Sequence, residues 1–222
     1  MNIQYVTNNM MLVHRVLFRC GVVAATLWVT GCAAGLLSSG PPPDLYNLTP
    51  KSTFSTGLPN VTWQLVIEEP LASGGLDASQ IALRPSPTEL KYFAGARWTE
   101  RAPKMVQTLL IESFENTGSI ISVGRQAIGL RSDYNLRTEL REFQAEYFSD
   151  AKSPSIRVRI NAKLITQPRQ IILASRSFEF LVDATGSDLA SIIEAFDNAL
   201  GKVIKGLVEW TLEVGNNAAI AK

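Results

Sequence analysis

The clearest periodicity in the chain lies near its end. Leu189, Ile192, Ile193, Phe196, Leu200, Val203, Ile204, Leu207 and Thr211 recur three or four residues apart. That spacing draws one apolar stripe along a helix. Glu194, Asp197, Lys202, Lys205 and Glu209 occupy the rest of its surface. The pattern predicts a helix over Leu189–Leu212, capped by Ser187 or Asp188, with residues 215–222 as a frayed tail. About 24 residues at 1.5 Å each make ~36 Å, enough to cross the face of a five-stranded sheet. A second amphipathic helix is marked by Met105, Val106, Leu109, Leu110 and Phe114. Pro103 suits its first turn and Gly118 its stop.

Elsewhere the period is two. Val61–Glu69 is β-branched and aromatic, and Pro70 ends it. Ile81–Arg84 is a short strand closed by Pro85 and Pro87, Leu90–Trp98 another, and Ile120–Val123 follows the first helix. In Tyr134–Phe148 the apolar phase runs Tyr134, Leu136, Leu140, then slips to Phe143, Ala145, Tyr147. A slip of one residue is what a β-bulge produces, so a bulge is expected at Arg141-Glu142. Ser155–Thr166 places Ile156, Val158, Ile160, Ala162 and Leu164 on one face and Arg157, Arg159, Asn161 and Lys163 on the other. Gln170–Asp183 turns Ile172, Ala174, Phe178, Phe180 and Val182 inward, joined to the preceding strand by a link of hairpin length, Gln167-Pro168-Arg169. These elements predict the α+β class. The architecture is an α/β two-layer sandwich, a mixed and largely antiparallel sheet covered on one face by two amphipathic helices.

The start of the chain reads differently. Residues 1–13 carry no charge; His14, Arg15 and Arg19 then precede the apolar run Cys20–Val29. Basic, apolar, then small is the order of a secretory signal, with Met10 and Met11 as alternative starts to Met1. The run is roughly 15 Å long as a helix, against the ~30 Å of a bilayer core. It ends Val29-Thr30-Gly31-Cys32, which resembles the lipobox of bacterial lipoproteins. The resemblance implies cleavage between Gly31 and Cys32 and acylation of Cys32, palmitate included. An ordinary secreted protein with an incidental cysteine is the alternative. Ala33 and Ala34 follow, with no Asp, which by analogy with lipoprotein sorting directs the chain to the outer membrane, periplasmic side, of a Gram-negative bacterium. Residues 32–44, rich in Gly, Ser and Pro, then form a tether, and 45–214 a single domain.

That cleavage bears on chemistry. His14 is the one histidine and Cys20 the one cysteine besides Cys32, so the mature domain has neither. Ser-His-Asp and Cys-His sites are excluded, as is a zinc site of the usual ligands. A histidine-free hydrolase is the remaining catalytic reading, and no cofactor is expected. With Lys+Arg 21 against Asp+Glu 20, no charge excess points to nucleic acid.

Ordered fragments along the domain resemble a family, the ABC-type transport auxiliary lipoproteins, which include paraquat-inducible protein C-like lipoproteins. They begin with Tyr46-x-Leu48-Thr49-Pro50 and pass through Leu76-Asp77, Ile81, Arg84 and Tyr92. The most specific is Ala96-Arg97-Trp98-x-Glu100-x-x-Pro103, leading to Val106-Gln107 and Phe114-Glu115-x-x-Gly118. Glu139-Leu140-x-x-Phe143, Ala174-x-Arg176-x-Phe178 and Val208-Glu209-Trp210 complete the set. The resemblance implies a non-catalytic lipoprotein beside an ABC permease and ATPase and an MCE-domain partner. Such systems move phospholipids or other hydrophobic molecules between inner and outer membranes. A lipid-binding lipoprotein that itself carries a hydrophobic ligand is the alternative, and a homo-oligomer stays open.

Candidate partner contacts are Arg97, Trp98, Tyr46 and Trp210. Each also has a structural reading: Trp98 under the first helix with Arg97 satisfying carbonyls or a carboxylate, Tyr46 in an edge strand, Trp210 packed at the sheet edge. The Arg157, Arg159, Lys163 stripe is either a solvated strand face or a site for lipid headgroups or an acidic partner. Trp63 is expected in the core. Glu68 and Glu69, neighbours in a strand, face opposite ways and cannot act as an acid–base couple.

Overall fold

One strand, β7 (Tyr134–Glu146), organises the sheet. On one edge it pairs antiparallel along its whole length with β8 (Ser155–Thr166), which pairs antiparallel with β9 (Ile172–Asp183). Three strands lie end to end along its other edge, all parallel to it. Leu65–Ile67 of β2 (Val61–Ile67) meet Tyr134–Leu136, β3 (Leu71–Ala72) meets Glu139 and Leu140, and β4 (Gln80–Ser86) meets Ala145 and Glu146. The sheet therefore forks. One arm continues from β2 to β6 (Ile120–Arg125), the other from β4 through β5 (Glu89–Trp98) to β1 (Asp44–Tyr46). The result is an open mixed sheet of nine strands, whose long ladders are antiparallel and whose short ones are mostly parallel. The structure is a computed structural model that describes residues 41–126, 131–148 and 152–220. The predicted signal segment and the Gly31–Cys32 cleavage and acylation site lie outside the described residues.

Two helices cover one face. The first, α1 (Ala102–Asn116), carries Pro103 in its first turn and ends before Gly118, whose φ of 62° suits a left-handed stop. The second, α2 (Leu189–Ile220), is capped by Asp188, whose Oδ1 accepts the Ser191 N–H at 3.0 Å. Their apolar faces and the inner face of the sheet form one core, including Leu65, Ile67, Leu110, Phe114, Leu136, Phe143, Ile160, Phe196 and Leu207. The segment between β1 and β2 then straps the helices from outside. Thr49 donates its N–H and hydroxyl to Asp197, Lys51 its N–H to Ser113 Oγ, and Ser55 its N–H to Glu209.

The bulge stands where the phase slip put it. Pairing passes from Leu140–Ile160 to Glu142–Arg159 and leaves Arg141 over. That extra residue keeps Phe143 and Ala145 on the core face beside Leu136 and Leu140.

Four details differ from the sequence reading. The last helix does not fray after residue 214 but continues to Ile220, because buried Gly215 is held against Trp63. Strand β4 runs through Pro85 to Ser86, since Ser86 pairs with Glu89 across a tight hairpin. Strand β3, two residues long, carries no pattern to read and exists through its pairing with β7. Finally, Phe180 keeps the inward phase of β9 yet is 42% exposed, because β9 is an edge, while Ile172, 55% exposed, leaves that phase at the register shift that sets it opposite Ile165.

Candidate interaction surface

The four residues singled out as partner contacts do not form one surface. Strand β1 adds to β5 in parallel, which places Leu45 opposite Arg97 and Tyr46 opposite Trp98. Arg97 and Leu45 are exposed at that edge, while Tyr46 is half-buried and fixed by a 2.9 Å bond from the Thr99 N–H to its carbonyl. Trp98 faces the core. It is 1% exposed, with Phe196 edge-on at 5.3 Å and Phe143 at 5.5 Å. Trp98 is therefore not available to a partner, and its ring meets Phe196 of the last helix within the core that both helices share. Trp210 is also buried, against Phe178 of β9 at 5.6 Å, at the opposite side of the sheet. Strand alternation explains the split: adjacent Arg97 and Trp98 must face opposite ways.

The basic stripe of β8 proves to be one half of a charge ladder on the face that the helices leave bare. Arg157 Nε binds Glu146 Oε1 at 2.9 Å and its Nη1 binds Glu179. Arg159 binds Glu142 at 2.6 Å, a carboxylate that Arg84 also reaches at 3.4 Å. Lys163 lies 3.6 Å from Glu139, which Arg141 holds at 2.8 Å. Glu68, next to Glu69, pairs with Arg137. The Glu146 hydrogen bond holds the Arg157 guanidinium above its ordinary range, against the opposite pull of burial. Each cation of the stripe thus has a carboxylate from a neighbouring strand, so none is left as a free anchor for an anion. The acids could have been read from the sequence, because Glu139, Glu142 and Glu146 share the outward phase of β7 once the bulge is allowed for.

A third cluster was not foreseen. Arg101, just before α1, binds Asp77 Oδ1 through Nε at 2.8 Å and Glu69 Oε1 at 3.1 Å. The Asp77 hydrogen bond is the main reason its guanidinium is held above its ordinary range. This ties the β3–β4 loop to the start of α1. Its signal was Asp77 within the family-like fragment, whose partner only folding reveals.

Nothing in these arrangements assembles a nucleophile with a base. Among the described residues no group of three or more His, Cys, Asp or Glu could hold a metal ion. Among them, too, no helix is long and apolar enough to cross a membrane. Among the described residues, two surface depressions stand out. One of about 410 Å³ lies under the strap between Lys51 and Lys202, with Glu194 and Asp197 in its wall. Another of about 540 Å³ lies at the β8–β9 turn, lined by Thr166, Gln167, Pro168, Arg169, Ile171 and Leu173.

A family model for the ABC-type transport auxiliary lipoprotein component matches residues 46–207, from the end of β1 into α2. The chain belongs to this family. It is 34% identical to protein XCC0632 of Xanthomonas campestris, whose crystal structure superposes with a TM-score of 0.75 over 79% of this chain and 98% of that one. A second solved structure, 15% identical with a TM-score of 0.55 over 82% of this chain and 100% of that one, shares the fold. The chain is also 26% identical over 200 residues to an uncharacterized protein of Bradyrhizobium diazoefficiens, covering 88% of this chain. It spans about half, 53%, of the length of that curated relative. Membership makes the chain an auxiliary lipoprotein of ABC-type transport and associates it with the cell envelope.

Proposed function

We propose that the chain is a non-catalytic, lipid-anchored docking subunit of an ABC/MCE-type system that moves phospholipids or other hydrophobic molecules between inner and outer membranes. Acyl chains on Cys32 hold it to the periplasmic side of the outer membrane. Residues 33–44 set the domain off the bilayer, where it engages the MCE-domain protein of the same system. The observation that carries this reading is a lipobox-like Val29-Thr30-Gly31-Cys32 placed ahead of a domain matched by the auxiliary-lipoprotein family over residues 46–207. Two or more acyl chains at ~0.8 kcal/mol per buried CH₂ give stable anchoring where one is marginal.

The filled core favours docking over carriage. Trp98, Phe143 and Phe196 interlock with ring centroids 5.2–5.5 Å apart where a ligand-carrying sandwich would open a cavity. Exposed Arg97 and Leu45, at the β1–β5 edge where the tether joins the domain, are the contacts that remain for a partner. The test is a Cys32→Ser variant expressed beside the tagged MCE-domain partner. The variant is expected to remain unprocessed and to lose the palmitate label and outer-membrane fractionation, while the unsubstituted chain co-purifies with the partner. Palmitate-labelled, mature-size Cys32→Ser protein would overturn the anchor. Stoichiometric lipid in native mass spectra of the unsubstituted protein would favour the carrier reading.

A further inference from the structure

The half-buried cations of the charge ladder, Arg84, Arg157 and Arg159, each have a carboxylate. Lys51 does not. It is half-buried in the strap, yet among the described residues its ammonium has no anionic partner. Lys202 of α2, on the same depression of about 410 Å³, has none either and reaches only the Phe180 ring, at 6.0 Å. Glu194 lines the depression without a cation, and the Asn198 amide lines it without a hydrogen bond, again among the described residues. Asp197 differs, because Thr49 already occupies both of its oxygens. Two cations, one carboxylate and one amide are thus left unpaired around a single hollow. Its floor is Gly201. A glycine inside a helix lowers helix stability. Elsewhere in α2 that loss has a packing reason, since Gly206 lies under Phe178 and Gly215 under Trp63. At Gly201 a Cβ would meet nothing nearer than Lys51 Cδ at 3.9 Å, so what the missing side chain leaves is room in the hollow.

We propose that this depression binds a phosphate ester that also carries a primary ammonium, the chemistry of a phosphoethanolamine headgroup. Lys51 and Lys202 donate to the phosphate oxygens, and such charge-assisted bonds are roughly twice as strong as neutral ones. The Asn198 amide adds a further donor. Glu194 accepts from the ammonium, and it is this carboxylate that selects a zwitterion. A plain anion would bring like charge against Glu194, and a plain cation would face two ammonium groups. A quaternary ammonium has no N–H to give, so Glu194 favours the primary amine. The volume lies near the lower end of small-molecule pockets, ~300–1,000 Å³, which suits a headgroup. Acyl chains find no room in the core, where Trp98, Phe143 and Phe196 interlock, so the site holds the head alone. Headgroup binding rests on the charges of this hollow and not on the docking reading, so either can fail without the other.

The test uses the full-length lipoprotein in phosphatidylcholine nanodiscs, titrated with glycerophosphoethanolamine. Calorimetry reads affinity, and an amine-directed reagent followed by mass spectrometry reads lysine protection. Binding at about 1 mM or tighter is expected. Lys51 and Lys202 are expected to be protected, and exposed Lys91, paired with Glu89, is not. Glycerophosphate, without the ammonium, and glycerophosphocholine, without its N–H, are each expected to bind at least about tenfold more weakly. Lys51→Gln and Lys202→Gln should each weaken binding about tenfold, and Glu194→Gln should erase the preference over glycerophosphate. Gly201→Leu fills the floor and is expected to abolish binding. The denaturation midpoint should stay unchanged in the first three variants and not fall in the fourth, which separates loss of the site from loss of the fold. Nanodiscs containing phosphatidylethanolamine distinguish the sources of this chemistry. Lysine protection there without added ester assigns the ligand to the bilayer, and protection by the soluble ester alone assigns it to a free phosphate ester. No binding of glycerophosphoethanolamine at about 10 mM, well above that range, would overturn the proposal. So would equal binding of glycerophosphate, or an affinity indifferent to both lysine substitutions.

Discussion

Gly215 lies so close to the indole of Trp63 that a Cβ there would stand 2.5 Å from Cζ2 and 3.0 Å from Cε2. The ring cannot swing away, because Tyr134 meets it edge-on at 5.0 Å. Tyr134 also donates its hydroxyl to the Gly215 carbonyl at 3.4 Å. A glycine inside a helix costs about 1 kcal/mol relative to alanine. Here that cost is offset by close packing of the helix on β2, which is why α2 continues past it.

Gly215→Ala gains up to ~1 kcal/mol of helix propensity but overpacks a fixed ring, a loss of about 1–3 kcal/mol. The expected outcome in urea unfolding is a net loss of about 1–2 kcal/mol. Gly201→Ala, in the same helix with its nearest neighbour a flexible Lys51 Cδ at 3.9 Å, is expected to stabilise by up to ~1 kcal/mol. Equal stabilisation by both would mean that the helix end is loose.

Trp98 and Arg97 are adjacent but should behave as opposites. Trp98→Ala opens a cavity between Phe143 and Phe196 and is expected to cost about 3–5 kcal/mol. Arg97→Ala, on the exposed face of β5, is expected to stay within about 0.5 kcal/mol of the parent. Denaturation midpoints check both, and a harmless Trp98→Ala would return that ring to the list of surface contacts.

Glu146 is 6% exposed and bonded to Arg157, which itself touches water. Arg157→Met leaves that carboxylate without its cation. Partial solvent access reduces the penalty of a fully buried pair to about 1–3 kcal/mol. The double variant Arg157→Met, Glu146→Met is expected to recover most of the loss, because neither charge remains to be solvated. A double-mutant cycle reads the coupling, and additive losses would show that the two groups act independently.

Stability should fall on the acid side. The Ser191 backbone N–H, then its hydroxyl, holds the Asp188 carboxyl below the usual carboxylate range, and the Arg141 hydrogen bond does the same for Glu139. A carboxyl with a lowered folded pKa contributes stability that is complete above its unfolded value and is lost as pH falls through the folded one. The thermal midpoint is therefore expected to be flat above about pH 5 and to drop below about pH 4. Asp188→Asn, which caps without a titrating charge, should flatten part of that slope, and an unchanged acid profile would mean that Asp188 has no share in it.

Much of this architecture was legible because each signal was local. The α2 stripe, Pro103 and Gly118 around α1, and the phase slip at Arg141 all act within a few residues of themselves. The inward set of β8 was equally plain, since a strand buried on one face must alternate. What stayed hidden depends on residues far apart in the chain. Arg101 needs Asp77, Arg157 needs Glu146 and Glu179, and the choice between a buried and a surface Trp98 needs Phe143 and Phe196, neither of which stands near it in sequence.

Local periodicity, turn residues and the lipobox-like motif determined which elements form, the two-layer class and the resemblance to auxiliary lipoproteins of ABC transport. Those signals depend on side chains and backbone within one or two turns of each other, so the linear order of residues carries them. Only the tertiary structure decided the forked sheet around β7, the pairing of every cation in the β8 stripe, the burial of Trp98 and Trp210, and the bare edge of β9. Each of these depends on which strands become neighbours, and that is settled by packing across the whole core.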